Sequence, residues 1–152
     1  MTDTGTQATT TVTEGGCPPL THYHHLGLTV SDVERSEAWY GAVLGFQRAF
    51  VETHPDGAGH AVAMTRPGTS LFIGLHHHQG KGAGDFAEHR TGLDHLAIGV
   101  ERREDLDRWA EHLDGHAVRR SAIEECTIGP MTFAVLNFRD PDNIALELIW
   151  MP

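Results

Sequence analysis

The 152-residue sequence has few cysteines, few basic residues and no long hydrophobic run. Its 11 Lys and Arg against 21 Asp and Glu give a formal net charge of −10, which disfavours nucleic acid and anionic membranes as partners because both attract a basic face. No apolar run approaches the roughly 20 residues that span a bilayer. The two cysteines, Cys17 and Cys126, form no close pair, so a structural disulfide is not expected and a reducing, cytoplasmic location is.

The beginning of the sequence also lacks the features of a targeting segment. Residues 1–20 are rich in Thr and Gly, without the basic start or the apolar centre of a secretory signal, and are expected to form a disordered leader. Residues 21–152 are enough for one domain with a real core. Histidine, in contrast, is abundant: there are twelve, and three are consecutive in the stretch LFIGLHHHQG at residues 71–80.

The sequence repeats itself with an offset of 70 residues. The stretch HHLGLTVSDVERSEAWYGAVLGF, which starts at His24, aligns without a gap with DHLAIGVERREDLDRWAEHLDGH, which starts at Asp94. This register predicts two copies of one structural unit. The repeated pairs include His25 with His95, Trp39 with Trp109, and Gly45 with Gly115.

Each copy begins with an alternating segment, HLGLTV in the first and HLAIGV in the second, which is typical of a strand with one packed face. The apolar residues share one face, while His25 and His95 share the other with small neighbours that leave space for a pocket. A helix is expected next. Ser31 and Glu34 predict a capping box at its start in the first copy, and Gly45 suits the left-handed position at its end.

Three further strands are expected after each helix, and the second helix is expected to end at Gly115. The unit is therefore βαβββ, twice, within an α+β fold. Module one covers residues 21–78, a linker covers 79–92, and module two covers 93–152. The predicted strands are 46–53, 60–65 and 70–76 in the first module, and about 116–123, 131–138 and 144–150 in the second.

The last strand, IALELIW, holds Glu147 on the face opposite its packed leucines. Taken alone, such a glutamate is more often a solvent-facing residue of an edge strand. If the open faces of the two copies enclose one cavity, however, His25, His95 and Glu147 all point into it. Two imidazoles and one carboxylate are the ligand set of a facial-triad metal site, which leaves other coordination positions open.

Several motifs together carry a family resemblance. The pattern HxxLxVSD from His25 is followed by a Trp-Tyr pair and LGF, and later by GLDH and a closing FRDPDNIALE. Over residues 21–152 this combination resembles the vicinal oxygen chelate superfamily of glyoxalases, bleomycin resistance proteins and extradiol dioxygenases. The resemblance implies paired βαβββ modules that form a curved mixed sheet around a divalent metal held by His25, His95 and Glu147. A small-molecule substrate and a homodimer are expected, and the modules could pair within one chain or swap across the dimer.

The sequence departs from the resemblance at one position. Aligning SLFIGLH with NIALELI places Gly74 where Glu147 sits, so the first module lacks its own carboxylate. Glyoxalase-like relatives generally use four protein ligands, whereas extradiol dioxygenases and fosfomycin-modifying transferases use three. His76 shares the face of Gly74 by strand alternation, and it could replace the missing ligand or transfer protons beside the metal. His77 faces away, and His78 is expected beyond the end of the strand.

The leading hypothesis is an extradiol-type dioxygenase that acts on a small substrate with neighbouring oxygens and uses His76 as its catalytic proton-transfer residue. The expected cofactor is Fe(II), with Mn(II), Zn(II) and Ni(II) as alternatives. A glyoxalase-like lyase or isomerase, or a fosfomycin-type transferase, would keep the metal and change the reaction. A drug-sequestering protein without catalysis is the alternative of another class, but the intact ligand set speaks against it, and the fold serves all of them.

Overall fold

A computed structural model describes residues 18–80, 82 and 84–152, and most of the expected leader, with Cys17, lies outside these residues. None of the helices in the described ranges is long and apolar enough to cross a membrane. In chain order the elements are β1 (Leu26–Thr29), α1 (Val33–Leu44), β2 (Gln47–Thr53), β3 (Gly59–Thr65), β4 (Phe72–His78), β5 (Leu96–Gly99), α2 (Arg103–Gly115), β6 (Glu124–Ile128), β7 (Met131–Arg139) and β8 (Ala145–Trp150).

Each βαβββ module forms its own four-stranded mixed sheet. The strand order is β1-β4-β3-β2 in the first sheet and β5-β8-β7-β6 in the second. In both sheets the first strand runs parallel to the last strand of its module, and the other neighbours are antiparallel. The predicted α+β class and the repeated unit are therefore confirmed.

The ends of α1 show one wrong and one confirmed prediction. The N-cap is Asp32 rather than Ser31: the carboxylate of Asp32 accepts the backbone N–H of Arg35 at 2.9 Å, whereas the Ser31 hydroxyl accepts from the Arg35 guanidinium at 2.8 Å. A carboxylate at this position also interacts favourably with the positive end of the helix dipole. At the other end Gly45 has a φ of 72°, the left-handed conformation predicted for it.

Five of the six predicted strands agree with the observed ones to within two residues, but the strand predicted at 116–123 is wrong. After α2 ends at Gly115, Ala117 adopts a φ of 55° and the backbone N–H of Val118 bonds to the Leu113 carbonyl at 2.9 Å. This segment therefore folds back on the helix, and the strand begins only at residue 124. The strand predicted to end at 76 also continues to His78, because Gly59 of β3 pairs with it.

The segment between the modules lies against the second module. The backbone N–H of Phe86 donates to the Asp142 carbonyl at 3.1 Å, and the side-chain amide of Asn143 donates to the Phe86 carbonyl at 2.9 Å. Arg139 forms an ion pair with Glu88. These contacts place the segment beside the turn between β7 and β8.

Both sheets turn their apolar faces toward one shared core. Trp39 of α1 stacks on Phe138 of β7, with ring centroids 6.4 Å apart, and the imidazole of His112 in α2 lies 2.8 Å from the Val43 carbonyl of α1. The helices thus lie between the modules, and the opposite face of each sheet stays open to solvent. The core includes Leu28, Leu44, Leu75, Leu106, Leu113, Leu136, Leu146 and Leu148.

Candidate metal centre

The open face of the first sheet, which is the side turned away from the core, carries a row of small residues that we call the floor. The strand register places Gly27, Gly74 and Ala63 in one row across β1, β4 and β3, and directly paired residues point to the same face. Phe50 extends this row onto β2, and its ring centroid lies 6.3 Å from that of Phe72. The result is a strip of low side-chain volume with aromatic rings beside it.

His25 lies at one side of this floor. It immediately precedes β1 and is exposed, two residues before Gly27 and therefore on the same face. Its ring centroid lies 5.5 Å from that of Phe72, and its Nδ1 lies 2.9 Å from Nδ1 of His24. The predicted first ligand thus borders the small-residue floor.

His76 covers the floor from the other side. A Cβ atom built on Gly74 would lie 2.7 Å from Nε2 of His76, and one built on Gly27 would lie 3.2 Å from it. On the other side of the ring, Nδ1 lies 3.1 Å from Nε2 of His54. Partial burial, together with the imidazoles of His54 and His78, holds the pKa of His76 below its ordinary value. The neutral ring is therefore favoured, as a base or a donor ligand requires.

The register of the two sheets confirms the missing carboxylate of the first module. Gly27 pairs with Gly74 in the first sheet, and Ala97, the residue equivalent to Gly27 in the repeat, pairs with Glu147 in the second. Gly74 thus has the position in its module that Glu147 has in the other. The ring of His76 fills the space in which a side chain at position 74 would begin.

The open face of the second sheet carries the other two predicted ligands. Glu147 is partly buried and lies between Ala97 on β5 and Asn137 on β7. His95 precedes Ala97 by two residues and therefore faces the same side. Nδ1 of His95 lies 2.7 Å from a carboxylate oxygen of Asp94. A carboxylate on one ring nitrogen is the usual support for a histidine that binds metal through the other, so this donor set fits a metal site.

A single chain does not bring the three predicted ligands together. His25 lies on the first sheet, whereas His95 and Glu147 lie on the second, and the open faces of both sheets point away from the shared core. Their donor atoms do not form a group within 4.8 Å of one another. The candidate metal-binding group that meets this criterion in the described ranges consists of His54, His76 and His78.

His54 is the residue of this region that the sequence did not reveal. The stretch HPDG predicts a turn, and the backbone N–H of Gly57 does bond to the His54 carbonyl at 2.8 Å. The backbone N–H of His54 also donates to the Gly59 carbonyl at 3.0 Å, which extends the ladder between β2 and β3. The sequence did contain one indication of its orientation: His54 follows Glu52 by two residues at the end of a strand, and residues two apart in a strand share a face.

A cavity of about 800 Å³ lies elsewhere, between the end of α1 and α2. Two of its polar side chains already have partners: His112 contacts the Val43 carbonyl, and Asp105 forms ion pairs with Arg102 and Arg108. It contains none of the predicted ligands. The predicted ligands lie instead on the open sheet faces.

The acidic residues of the RDPDN turn connect the modules. Asp140 accepts the Tyr40 hydroxyl at 3.1 Å and the backbone N–H of Ile144 at 2.8 Å, and Asp142 accepts the backbone N–H of Ser31 at 2.9 Å. Burial raises the pKa of both Asp140 and Tyr40. The part of the family-like motif before Glu147 thus has a structural role in joining α1 to the turn between β7 and β8.

Comparisons with known proteins agree with this architecture. The chain matches the profile of the glyoxalase/bleomycin resistance protein/dioxygenase superfamily over residues 22–148. A glyoxylase/bleomycin resistance protein/dioxygenase domain from Frankia sp. EAN1pec is 34% identical with a TM-score of 0.77, and the match covers 88% of this chain and 100% of that one.

More distant solved structures share the fold. A glyoxalase family protein from Enterococcus faecalis is 20% identical, with a TM-score of 0.66 and coverage of 84% of this chain and 96% of that one. The fosfomycin resistance protein FosX from Listeria monocytogenes is 16% identical, with a TM-score of 0.63 and coverage of 86% and 91%. A comparison with curated protein sequences finds no match.

Proposed function

Because the chain belongs to the glyoxalase/bleomycin resistance protein/dioxygenase superfamily, we propose that it is a divalent-metal-dependent enzyme for a small substrate with two neighbouring oxygens. The proposed ligands are His25, His95 and Glu147. The observation that carries this proposal is that His95 and Glu147 lie on the same open face of the second sheet, with a carboxylate oxygen of Asp94 2.7 Å from Nδ1 of His95. Such support is typical of metal-binding histidines.

We place the complete site between two copies of the chain, in a cytoplasmic homodimer. His95 and Glu147 come from the second sheet of one copy, and His25 comes from the first sheet of the other. Exposed apolar side chains on these faces support the arrangement, because a second copy would cover them. They include Phe50 on the first sheet, which is 50% exposed, and Ile128 and Met131 on the second, which are 63% and 49% exposed.

The chemistry follows from the donor set and from the residues around it. A divalent metal, for which we propose Fe(II) with Mn(II), Zn(II) and Ni(II) as alternatives, would polarise the two substrate oxygens and lower their pKa. His76 would hold or transfer a proton through Nε2, which faces the floor at Gly27 and Gly74. Its Nδ1 contact with His54 fixes the orientation of the ring.

An extradiol-type dioxygenase is the reaction we propose first. Gly74 supplies no carboxylate, so a three-ligand set leaves positions for a substrate and for dioxygen. A glyoxalase-like lyase or isomerase is the second candidate, because Nε2 of His76 lies where a fourth ligand would begin. A fosfomycin-type transferase would also use three ligands. The complete ligand set disfavours a drug-sequestering protein without catalysis.

Metal content tests the ligand assignment. Untagged protein, purified without oxygen, is compared with its His25→Ala and Glu147→Ala variants by elemental analysis. Each variant is expected to lose one equivalent of metal per chain. His22→Ala is the matched control, because it removes an exposed imidazole from the same segment, whose ring lies near that of His24, and it should retain the metal. Wild-type metal content in both the His25 and Glu147 variants would overturn the assignment.

Oxygen uptake separates the candidate reactions. Consumption of dioxygen with catechol-type diols, lost in Glu147→Ala, supports the dioxygenase. Turnover of a dicarbonyl adduct or an epoxide without dioxygen would instead support the lyase or the transferase. Tight binding of a drug by the metal-free protein, with no turnover of any of these compounds, would support sequestration.

A further inference from the structure

A second group of potential metal donors lies within one chain, on the open face of the first sheet. His54, His76 and His78 each place a ring nitrogen within 4.8 Å of the other two. Nε2 of His54 and Nδ1 of His76 are 3.1 Å apart. Two nitrogens bound to one tetrahedral ion at ordinary metal–nitrogen lengths lie about 3.3 Å apart, so this pair already has nearly the required separation.

The glycine on the middle strand explains why two of the rings meet. Gly59 of β3 lies between His54, whose backbone N–H bonds to its carbonyl, and His78, with which it pairs. A Cβ atom on Gly59 would lie 2.6 Å from Nδ1 of His54. The ring centroids of His54 and His78 are 4.5 Å apart across this gap. The two outer strands thus bring imidazoles together over a position that has no side chain.

The next row of the same face repeats this arrangement with an acidic residue. Ala61 of β3 pairs with His76 on one side and with Glu52 on the other. Glu52 is two residues before His54 and therefore shares its face. The negative charge of Glu52 acts on His76 and favours a cation beside the imidazoles.

We propose that His54, His76 and His78 bind a second divalent cation, separate from the one assigned to His25, His95 and Glu147. Imidazole ligands suit late first-row ions, of which Zn²⁺, Ni²⁺ and Cu²⁺ are the relevant class. Three protein ligands leave a position for water or another small ligand. Unlike the site between two copies, this group is complete in one chain.

The second site would act on the first through one residue. His76 presents Nδ1 to His54 and Nε2 to the floor at Gly27 and Gly74. With Nδ1 bound to a cation, the proton of the neutral ring lies on Nε2. The cation would therefore orient His76 as a hydrogen-bond donor toward the floor on which we place the substrate.

Zinc titration of the untagged, metal-free full chain, with a chromophoric chelator as competitor, tests this proposal. Wild-type protein is expected to bind two equivalents per chain, and His54→Ala and His78→Ala are each expected to bind one. His77→Ala is the matched control, because His77 lies on the same strand, faces the other side and pairs with His60. It should bind two equivalents. His54→Gln serves as a second variant with a larger side chain.

The outcomes separate the second site from the proposed function. Unchanged zinc binding in both His54→Ala and His78→Ala, with circular dichroism showing folded protein, overturns the second site. Loss of one equivalent in Glu147→Ala alone then leaves the proposed enzyme site in place. If the His54 and His78 variants each lose one equivalent of zinc and Glu147→Ala loses none, the second site is supported and the ligand assignment of the enzyme site is contradicted. If His54→Ala is unfolded, the folded variants His54→Gln and His78→Ala replace it in the test. Loss of one equivalent of zinc in both supports the second site, and unchanged zinc binding in both overturns it.

Discussion

His76 is the single residue on which the proposed chemistry depends most. Its two ring nitrogens face different groups, with Nδ1 toward His54 and Nε2 toward the backbone of Gly27 and Gly74. A lowered pKa keeps the ring neutral, and its position lets it serve as a proton carrier or as a replacement for the missing carboxylate. The absence of side chains at the two glycines is what gives the ring its space.

Replacing Gly74 with Ala is expected to displace the imidazole of His76. The new methyl carbon would lie 2.7 Å from Nε2, and because that atom is the far end of a side chain, the ring moves and the backbone does not. We expect a folded protein whose His76 and His54 ring signals shift together in nuclear magnetic resonance spectra, with turnover reduced about tenfold or more. Gly99→Ala is the control, because a Cβ at Gly99 meets nothing within 4 Å. Unchanged ring signals in Gly74→Ala would contradict this geometry.

Removal of the Tyr40 hydroxyl should destabilise the fold. It donates to the buried carboxylate of Asp140 at 3.1 Å, and Phe at this position would leave that oxygen without its side-chain donor. We expect Tyr40→Phe to lower the free energy of unfolding by about 1–2 kcal/mol, measured by urea denaturation. Tyr23→Phe, at a fully exposed tyrosine, should change it by less than about 0.5 kcal/mol. Equal effects in the two variants would refute the role of this hydrogen bond.

At the scale of secondary-structure elements, the two helices end differently although the repeat aligns their terminal glycines. Gly45 follows α1 in the left-handed conformation, whereas Gly115 is the last residue of α2 and the left-handed residue is Ala117. The sequence predicted both helix ends because glycine terminates each periodic pattern. It could not predict the backbone angle at Gly115, which depends on the return of Val118 to the helix.

The two glycines should therefore respond to alanine in opposite directions. Gly45→Ala places a Cβ at a φ of 72° and is expected to lower the free energy of unfolding by about 1 kcal/mol. Gly115→Ala meets nothing within 4 Å and gains helix propensity, so its effect should be neutral or stabilising by up to about 1 kcal/mol. Thermal unfolding of both variants is the measurement. A loss of stability in Gly115→Ala equal to that in Gly45→Ala would contradict the observed helix ends.

Strand alternation predicted that His76 lies on the same face of β4 as Gly74, and the observed register agrees. Side chains alternate between the two faces of a strand, so the face of every residue is set once the core-facing side is known. It did not predict the cluster of His54, His76 and His78. That cluster depends on the hydrogen bond from the backbone N–H of His54 to the Gly59 carbonyl. It also depends on Gly59 having no side chain, which leaves room for the ring of His54. Both features arise from the pairing of different strands. The alternating pattern of one strand carries no information about them.

At the scale of the whole molecule, the modules pack through their helix-covered faces. The stack of Trp39 on Phe138 and the hydrogen bonds of Asp140 and Asp142 join α1 to the second module. The repeat predicted two modules, but it left open whether their open faces meet within one chain. Apolar residues on the helices and on the inner sheet faces are compatible with either arrangement, so only the three-dimensional packing decides.

The outward open faces account for the separation of His25 from His95 and Glu147 in one chain. The proposed enzyme site would therefore take its ligands from two copies of the chain, whereas His54, His76 and His78 come from one copy. In the proposed symmetric dimer each copy would supply His25 to one site and the other two ligands to the second site, so each dimer would hold two equivalent sites.

A mixed dimer tests this central claim most directly. His25→Ala and Glu147→Ala chains, both also carrying His78→Ala to remove the second cation site, are co-expressed with different affinity handles that are cleaved after isolation of the mixed dimer. The variants alone should hold no metal at the enzyme site. If the ligands come from two copies, the mixed dimer recovers one intact site and binds about one metal per dimer. Absence of metal from a folded mixed dimer, when the His78→Ala parent binds about two per dimer, would contradict the account.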